Sequence, residues 1–448
     1  MSNDKKQQLI ELGVEVLAET LLELASRDDA ASDLMDRMIA TPEENIKRFK
    51  AKLVGLKRRR RFIPWGESRA FAGELAALLE DLKAGVDDPR TGCELVAAFY
   101  EADCGALGSC DDSNGSVGDV FRFDARDLFV SFASSCEEKE WLGDLLLRLN
   151  REDDYGVRDA LIDCAGGYLP EPVMRTMIER LWKSAEKESD EYRKRHWLRM
   201  VESLARQIKD APLFEKARIA SWGKLSTAAC IDIARVYLES GDAKTSLSWL
   251  ERIPAEETFK GDDKNRLLLE VYGKLGQSDK QEEIAWRIFK GYRSDSTLST
   301  LLEVIGEEER ERVLTRETTI ILQEERLSYS DASFLISVGR MAEAESYLFV
   351  RAGQLNGDFY NILLPLAEAM EKDGRMLIAT VIYRALLDSI LRRAQSKYYS
   401  HGVRYLKKLD KLSETISDWR GVAPHAAYLA GLRRDHGRKS AFWGKYDK

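Results

Sequence analysis

Nine lysines and arginines crowd residues 47–61 without one acid among them. Such a run can neutralise phosphates or engage an acidic partner. Helical spacing sorts it into two faces. Ile46, Phe49, Leu53 and Leu56 form an apolar stripe, while Lys47, Lys50, Lys52, Lys57, Arg58, Arg59 and Arg61 fan over the opposite side. A second basic surface lies in residues 392–448, which hold fourteen Lys or Arg against five acids. There Tyr398, Tyr399, Val403, Tyr405, Leu406 and Leu409 make an apolar face, with Arg404, Lys407, Lys408 and Lys411 beside it. The whole chain carries −8, so the stretch between these ends is strongly acidic. Segregated charge of this kind suggests an electrostatic role for the two ends. Three readings stay open for the first run: docking against the protein's own acidic middle, an acidic protein partner, or nucleic acid.

The run Asp111-Asp112-Ser113-Asn114-Gly115-Ser116-Val117-Gly118-Asp119 is the densest cluster of small oxygen-bearing side chains. Its alternation of Asp111, Ser113 and Gly115 has the beginnings of a calcium loop. The sixth position is Ser116 where such a loop needs glycine, and the twelfth is Arg122 where it needs glutamate. A helix-capping turn is the better reading. A polar loop in a helical chain is still where function often sits, so Asp111, Asp112 and Asp119 stand as candidate residues. The six cysteines show no Cys-x-x-Cys, and the four histidines are scattered; no metal and no cofactor is expected. There is no phosphate-cradling Gly-rich loop, no Gly-x-Ser-x-Gly elbow, and no nucleophile–base pair by spacing. Runs such as Glu152-Asp153-Asp154-Tyr155-Gly156 read as solvated helix starts. The chain is not expected to be an enzyme.

These residues need elements to hold them, and the pattern gives helices throughout. Leu9, Ile10, Val14, Leu17, Leu21 and Leu24 predict one helix over 5–27. Thr41-Pro42-Glu43-Glu44 reads as the start of a helix over 42–61, with threonine as cap, proline in the first turn and acids complementing the dipole. Further helices are expected at 30–40, 68–83, 94–106, 124–135, 138–150, 155–165 and 171–186, and continuously from 191. No alternating strand segment stands out.

Five glycines, Gly241, Gly276, Gly306, Gly339 and Gly374, recur 35, 30, 33 and 35 residues apart. Four positions before them stand Tyr237, Tyr272, Leu302, Leu335 and Met370; seven before stand Ala234, Leu269, Ser299, Ala332 and Ala367. Eight after come Trp249, Ile284, Leu314, Tyr347 and Ile382. A period in the low thirties marks helical hairpins that stack because one hairpin cannot bury its own apolar face. The glycines fall where a helix end needs a left-handed residue. Over about 226–395 this pattern resembles the tetratricopeptide repeat family, with a degenerate third unit in which Gly306-Glu307-Glu308-Glu309 precedes a short second helix. The ending, His425-Ala426-Ala427-Tyr428-Leu429 and then Leu432 to Trp443, resembles an uncharacterised family of helical bacterial proteins, close to the helical regions that accompany SWIM-type zinc fingers. The finger's own Cys-x-Cys and Cys-x-His are absent from this chain.

The sequence thus predicts an all-α fold: an α-solenoid of tetratricopeptide-like hairpins with an N-terminal helical domain. The expected division is 1–66, 67–225 with a polar loop at 107–119, 226–395 for the repeats, and 396–448 as a basic helical cap. No apolar run approaches the roughly 18 residues that span a bilayer, and the opening residues lead into an amphipathic helix, not a secretory apolar core. Unpaired cysteines point to a cytoplasmic setting. The expected role is a non-catalytic scaffold or adaptor that binds a protein partner, with a nucleic-acid-associated accessory role as the alternative and no membrane association.

Overall fold

Thr41 opens its helix by reciprocal capping: its hydroxyl accepts from the Glu44 amide at 3.3 Å, and the Glu44 carboxylate accepts from the Thr41 amide at 2.8 Å. The structure, a computed structural model, describes residues 2–58, 61–151 and 153–448. Its first helices are α1 (Ser2–Glu11), α2 (Val14–Ala25), α3 (Asp29–Ile39), α4 (Pro42–Lys57) and α5 (Trp65–Gly85). The single helix expected over 5–27 is two, because Gly13 at φ +85° turns the chain between them. Of the helix expected over 42–61, the helical part ends at Lys57 with Arg58 as its cap.

The chain divides into two compact units, Met1–Pro254 and Ala255–Lys448, so the division falls within the 226–395 stretch. Each is all-helical and built of consecutive helices packed as neighbouring pairs, the arrangement of an α-solenoid. In the first unit one continuous core runs from Phe49 on α4 through Phe71 and Leu82 on α5 to Ala217. The pairing that departs from helix is an isolated parallel bridge, in which Ile63 N donates to Ser109 O at 2.8 Å and Asp111 N donates to Ile63 O at 2.9 Å. It fastens the start of the polar loop to the segment entering α5.

The periodic glycines all have positive φ, from +66° at Gly276 to +101° at Gly306. At four of them the residue after glycine donates back five positions: Asp242 to Tyr237, Gln277 to Tyr272, Arg340 to Leu335 and Arg375 to Met370, at 2.8–3.0 Å. This is the Schellman closure, and its acceptors are the Tyr, Leu and Met residues found four positions ahead of each glycine. Trp249, Ile284, Leu314, Tyr347 and Ile382 on the second helices are all buried. Gly306 differs. Its amide bonds Leu302 O, its ψ is 141°, and a short 3-10 turn (Glu307–Glu309) follows. The second helix of that unit is not short: Arg310–Gln323 has fourteen residues. The three glutamates are a turn before the helix, which moves its start beyond the expected place.

In the second unit the core runs from Ala285 to Trp443. It takes in Tyr399, Val403, Tyr405, Leu406 and Leu409 of the C-terminal segment, while Tyr398 stays partly exposed. Phe442 and Trp443 are buried, and Trp443 Nε1 donates to His436 O at 2.9 Å.

Two glycines separate backbone conformation from packing. A Cβ on Gly276 would meet nothing within 4 Å, so Gly276→Ala should cost only the left-handed strain of about 1 kcal/mol. A Cβ on Gly357 would lie 2.0 Å from the Ala385 carbonyl oxygen. Gly357→Ala should therefore lower the urea midpoint clearly more than Gly276→Ala does.

Candidate functional site

Asp81 on α5 is a carboxylate with 1% of its side chain exposed, and the basic helix is built around it. Arg37 Nε on α3 donates to Asp81 Oδ1 at 2.7 Å; from α4, Arg48 Nη1 stands 3.8 Å from Oδ1 and Lys52 Nζ 4.0 Å from Oδ2. Lys52 also donates to Asp33 at 3.2 Å, and Arg48 Nη2 to Asp36 O at 3.3 Å. Farther along, Lys57 donates to Glu101 at 3.3 Å, and Arg61 lies 3.7 Å from Glu67. The acidic surroundings expected to receive this run therefore take up Lys52, Lys57 and Arg61 as well as Arg48. Lys47, Lys50 and Arg58 are exposed. Arg59 lies outside the described residues. Neither Asp81 nor Arg37 stood out in the sequence. The available signal was an acid placed within the Leu75, Leu78, Leu79 and Leu82 face of an otherwise apolar helix.

The polar loop spends its oxygens on its own backbone. Asp112 accepts from the Val117 and Gly118 amides, both at 2.8 Å, and so caps the short helix Ser116–Asp119. Asp111 accepts from the Ser113 amide at 3.1 Å, and that bond together with the Ser113 hydroxyl holds its pKa below the usual carboxylate value. Asn114 Nδ2 donates to Ser68 Oγ at 3.0 Å, which ties the loop to α5. Asp119 is exposed. Among the described residues no group of three or more His, Cys, Asp or Glu could hold a metal ion.

Next to this loop a second buried ion pair fixes the following segment. Arg158 Nε and Nη2 meet Asp103 Oδ2 and Oδ1 at 2.8 and 2.7 Å, with both residues buried, and Arg158 Nη1 donates to Leu149 O at 2.8 Å. Asp153 accepts from the Tyr155, Gly156 and Arg158 amides at 2.8–3.2 Å. The acidic run is thus a capped turn in front of Arg158; Glu152 lies outside the described residues. The cysteines are unpaired thiols, and burial pushes Cys93 up to about 12 and Cys104 and Cys164 up to about 11. Cys93, Cys104 and Cys164 are thereby held as thiols, without the thiolate character that reactivity needs.

In the C-terminal segment Lys408 pairs with Glu371 at 2.8 Å, and Arg404 Nη2 lies 3.1 Å from His401 Nδ1. Lys407 is exposed.

At the N-terminus Leu9, Ile10, Leu12, Val14, Val16, Leu21, Leu22 and Leu24 are all exposed, and α2 buries no residue. Leu34, Met38 and Ile39 of α3, which packs on α2, are exposed as well. The apolar stripe legible in the sequence is a surface. Glu11, Glu15, Glu19 and Glu23 recur every fourth residue beside it, and no Lys or Arg lies between Gln7 and Ser26.

Compared with known proteins, the chain matches a family of unknown function, DUF6880, over residues 3–222 and again over 222–445. No curated protein matches it.

The Asp81 cluster makes a direct prediction. Asp81→Ala strands Arg37 and Arg48 without their buried anion and should cost about 3 kcal/mol, read by urea unfolding. It should also speed proteolysis within α3 and α4. Lys50→Ala, on the exposed side, should change stability by less than about 0.5 kcal/mol.

Proposed function

This chain belongs to the DUF6880 family of unknown function, and we propose that it works as a non-catalytic helical scaffold whose α1–α3 face receives a protein partner. One observation carries this reading: α1, α2 and the turn between them present eight large apolar side chains to solvent. Single exposed leucines are ordinary, but soluble monomers rarely leave contiguous apolar patches beyond a few hundred Å² uncovered. Eleven large apolar residues between Leu9 and Ile39, each at least about a third exposed, offer on the order of 1,000 Å². That is about what one side of a standard protein interface buries.

Charge selects the occupant. A helix lying on an anionic membrane carries Lys and Arg on its polar face, whereas the polar face here carries Glu11, Glu15, Glu19 and Glu23. No described helix is long and apolar enough to cross a bilayer. The matching partner is an amphipathic helix of another protein, with leucine-type anchors and a basic edge. A cytoplasmic setting suits the free cysteines. The Schellman turns of the hairpins, their small buried Ala234, Ala332 and Ala367, and their buried second-helix anchors support a tetratricopeptide-like reading of that stretch. The likeness to regions accompanying SWIM-type zinc fingers fits the same accessory role.

The nucleic-acid reading rests on the exposed cations of the two segments, Lys47, Lys50, Arg58, Arg404, Lys407 and Lys411 among them; Arg48, Lys52, Lys57, Arg61 and Lys408 are already paired with acids of the protein itself. The protein-partner reading therefore stands as the stronger one.

A photo-crosslinking residue at Leu22 should trap one partner in cells through a basic amphipathic segment. The double change Leu22→Glu and Leu24→Glu should weaken capture by tenfold or more while shifting thermal stability little, since both side chains are exposed. Crosslinks that join only two copies of this chain, or capture that survives the double change, would contradict the proposal.

A further inference from the structure

Arg384 sits on the helix Met376–Arg393 among Tyr383, Leu386 and Leu387, which are all buried, with Asp388 one turn further along. It is itself only 7% exposed. Its Nη1 donates to Ala423 O at 2.7 Å. Its Nε and Nη2 are shielded from solvent and have no hydrogen-bond partner among the described residues. The guanidinium lies 4.3 Å from the ring of Tyr428 and 5.1 Å from that of Trp419. Burial pulls its pKa down, in spite of the opposing charge of Asp388.

This residue lines a cavity of about 1070 Å³ within the second unit, together with Asp388, Arg392, Tyr428, His436 and the backbone from Ala352 to Gly357. Neither nearby acid bonds the guanidinium of Arg384: Asp388 is close enough to act on its charge, and Asp358 pairs with Arg392 at 3.4 Å. Tyr428 Oη donates to Asp388 at 2.6 Å, and the Ser389 hydroxyl donates to Asp358. An arginine buried only to hold the 414–424 strap would need its Nη1 bond and its two rings. It would not need an empty Nε–Nη2 edge, which is the edge that grips a carboxylate with two parallel bonds.

We propose that this cavity is a binding site for a carboxylate, anchored by Arg384 with Arg392 at its rim. The carboxylate supplies the acceptors that the Nε–Nη2 edge lacks. Tyr428 lies over the guanidinium and is held by one hydrogen bond to Asp388; breaking that bond frees the ring to uncover the donors. A singly charged group fits better than a phosphate dianion, because Asp388 and Asp435 line the same cavity. The size of the space suits a metabolite-sized ligand or the end of a peptide.

Thermal shift and calorimetry on the full chain test this with acetate, succinate, L-glutamate, a tripeptide with a free C-terminus, the same tripeptide amidated, and inorganic phosphate. A saturable rise in Tm with at least one free carboxylate, and none with the amide or phosphate, is expected. A response to the small acids assigns the source as a free organic acid; a response to the peptide alone assigns it as a chain terminus. Arg384→Lys should weaken that binding by tenfold or more, and Arg392→Ala should weaken it less. Should Arg384→Lys fail to fold, Arg392→Ala carries the test, being on an exposed side chain. Absence of any carboxylate response, an equal response to phosphate, or full binding in the folded variants overturns the proposal.

Discussion

A carboxylate taken out of water must be matched by cations, and in the first unit that requirement falls on Asp81. Its position on α5 draws Arg37 from α3 and both Arg48 and Lys52 from α4 to one buried point. The basic run that looks most available for a partner is thereby turned partly inward, as the means by which α3 and α4 are held on the core. Phe49, Leu53 and Leu56 supply the apolar area on the same helix, and the ion cluster fixes its direction. Burying such charges adds little net stability over an apolar contact, but it makes one docking arrangement far better than its neighbours. What the helices beyond this anchor expose is then a consequence: α1 and α2 have no comparable charge to bury and no core to enter.

The same economy of charge runs through the rest of the chain. Arg158 on Asp103 holds the turn that follows the polar loop, and Arg293 reaches both the buried Glu317 and Asp331 at 3.0 and 3.1 Å. In each case an arginine joins segments distant in sequence through a bidentate or bridging contact that lysine could not make. Arg384 departs from this rule. It is as deeply placed as the others, yet two of its nitrogens lack an acceptor, which is why it reads as a site and the others read as joints.

Much of this was legible in the residues. Thr41, Pro42 and Glu44 announced a capped helix because capping is local chemistry. Five spaced glycines announced hairpin turns because only a left-handed residue closes a Schellman turn cheaply, and four of the five close that way. Gly306 does not, since three glutamates after it form a turn of their own. The Asp112 loop was legible as a cap for the same local reason. The rest depended on contacts between distant residues. Spacing shows that Leu9, Ile10, Val14, Leu17, Leu21 and Leu24 share a face, but not whether anything covers it. Charge counting shows an acidic middle, but not that one aspartate at position 81 collects three cations. An arginine among apolar residues was visible at position 384; its unfilled edge needed the structure.

The central claim is that the 47–61 run is partly consumed within the protein, and salt dependence tests it most directly. Binding of the intact chain to DNA and RNA of mixed sequence should be measured as salt rises from 50 to 200 mM. Among the described cations of the run, internal pairing leaves Lys47, Lys50 and Arg58 without an acid, so the account predicts that changing these three to alanine removes whatever the run contributes, a slope of log affinity on log salt of about three or less. A slope that falls by about five or more once Lys52, Lys57 and Arg61 are changed as well would mean that the whole run faces phosphate, and would contradict the account.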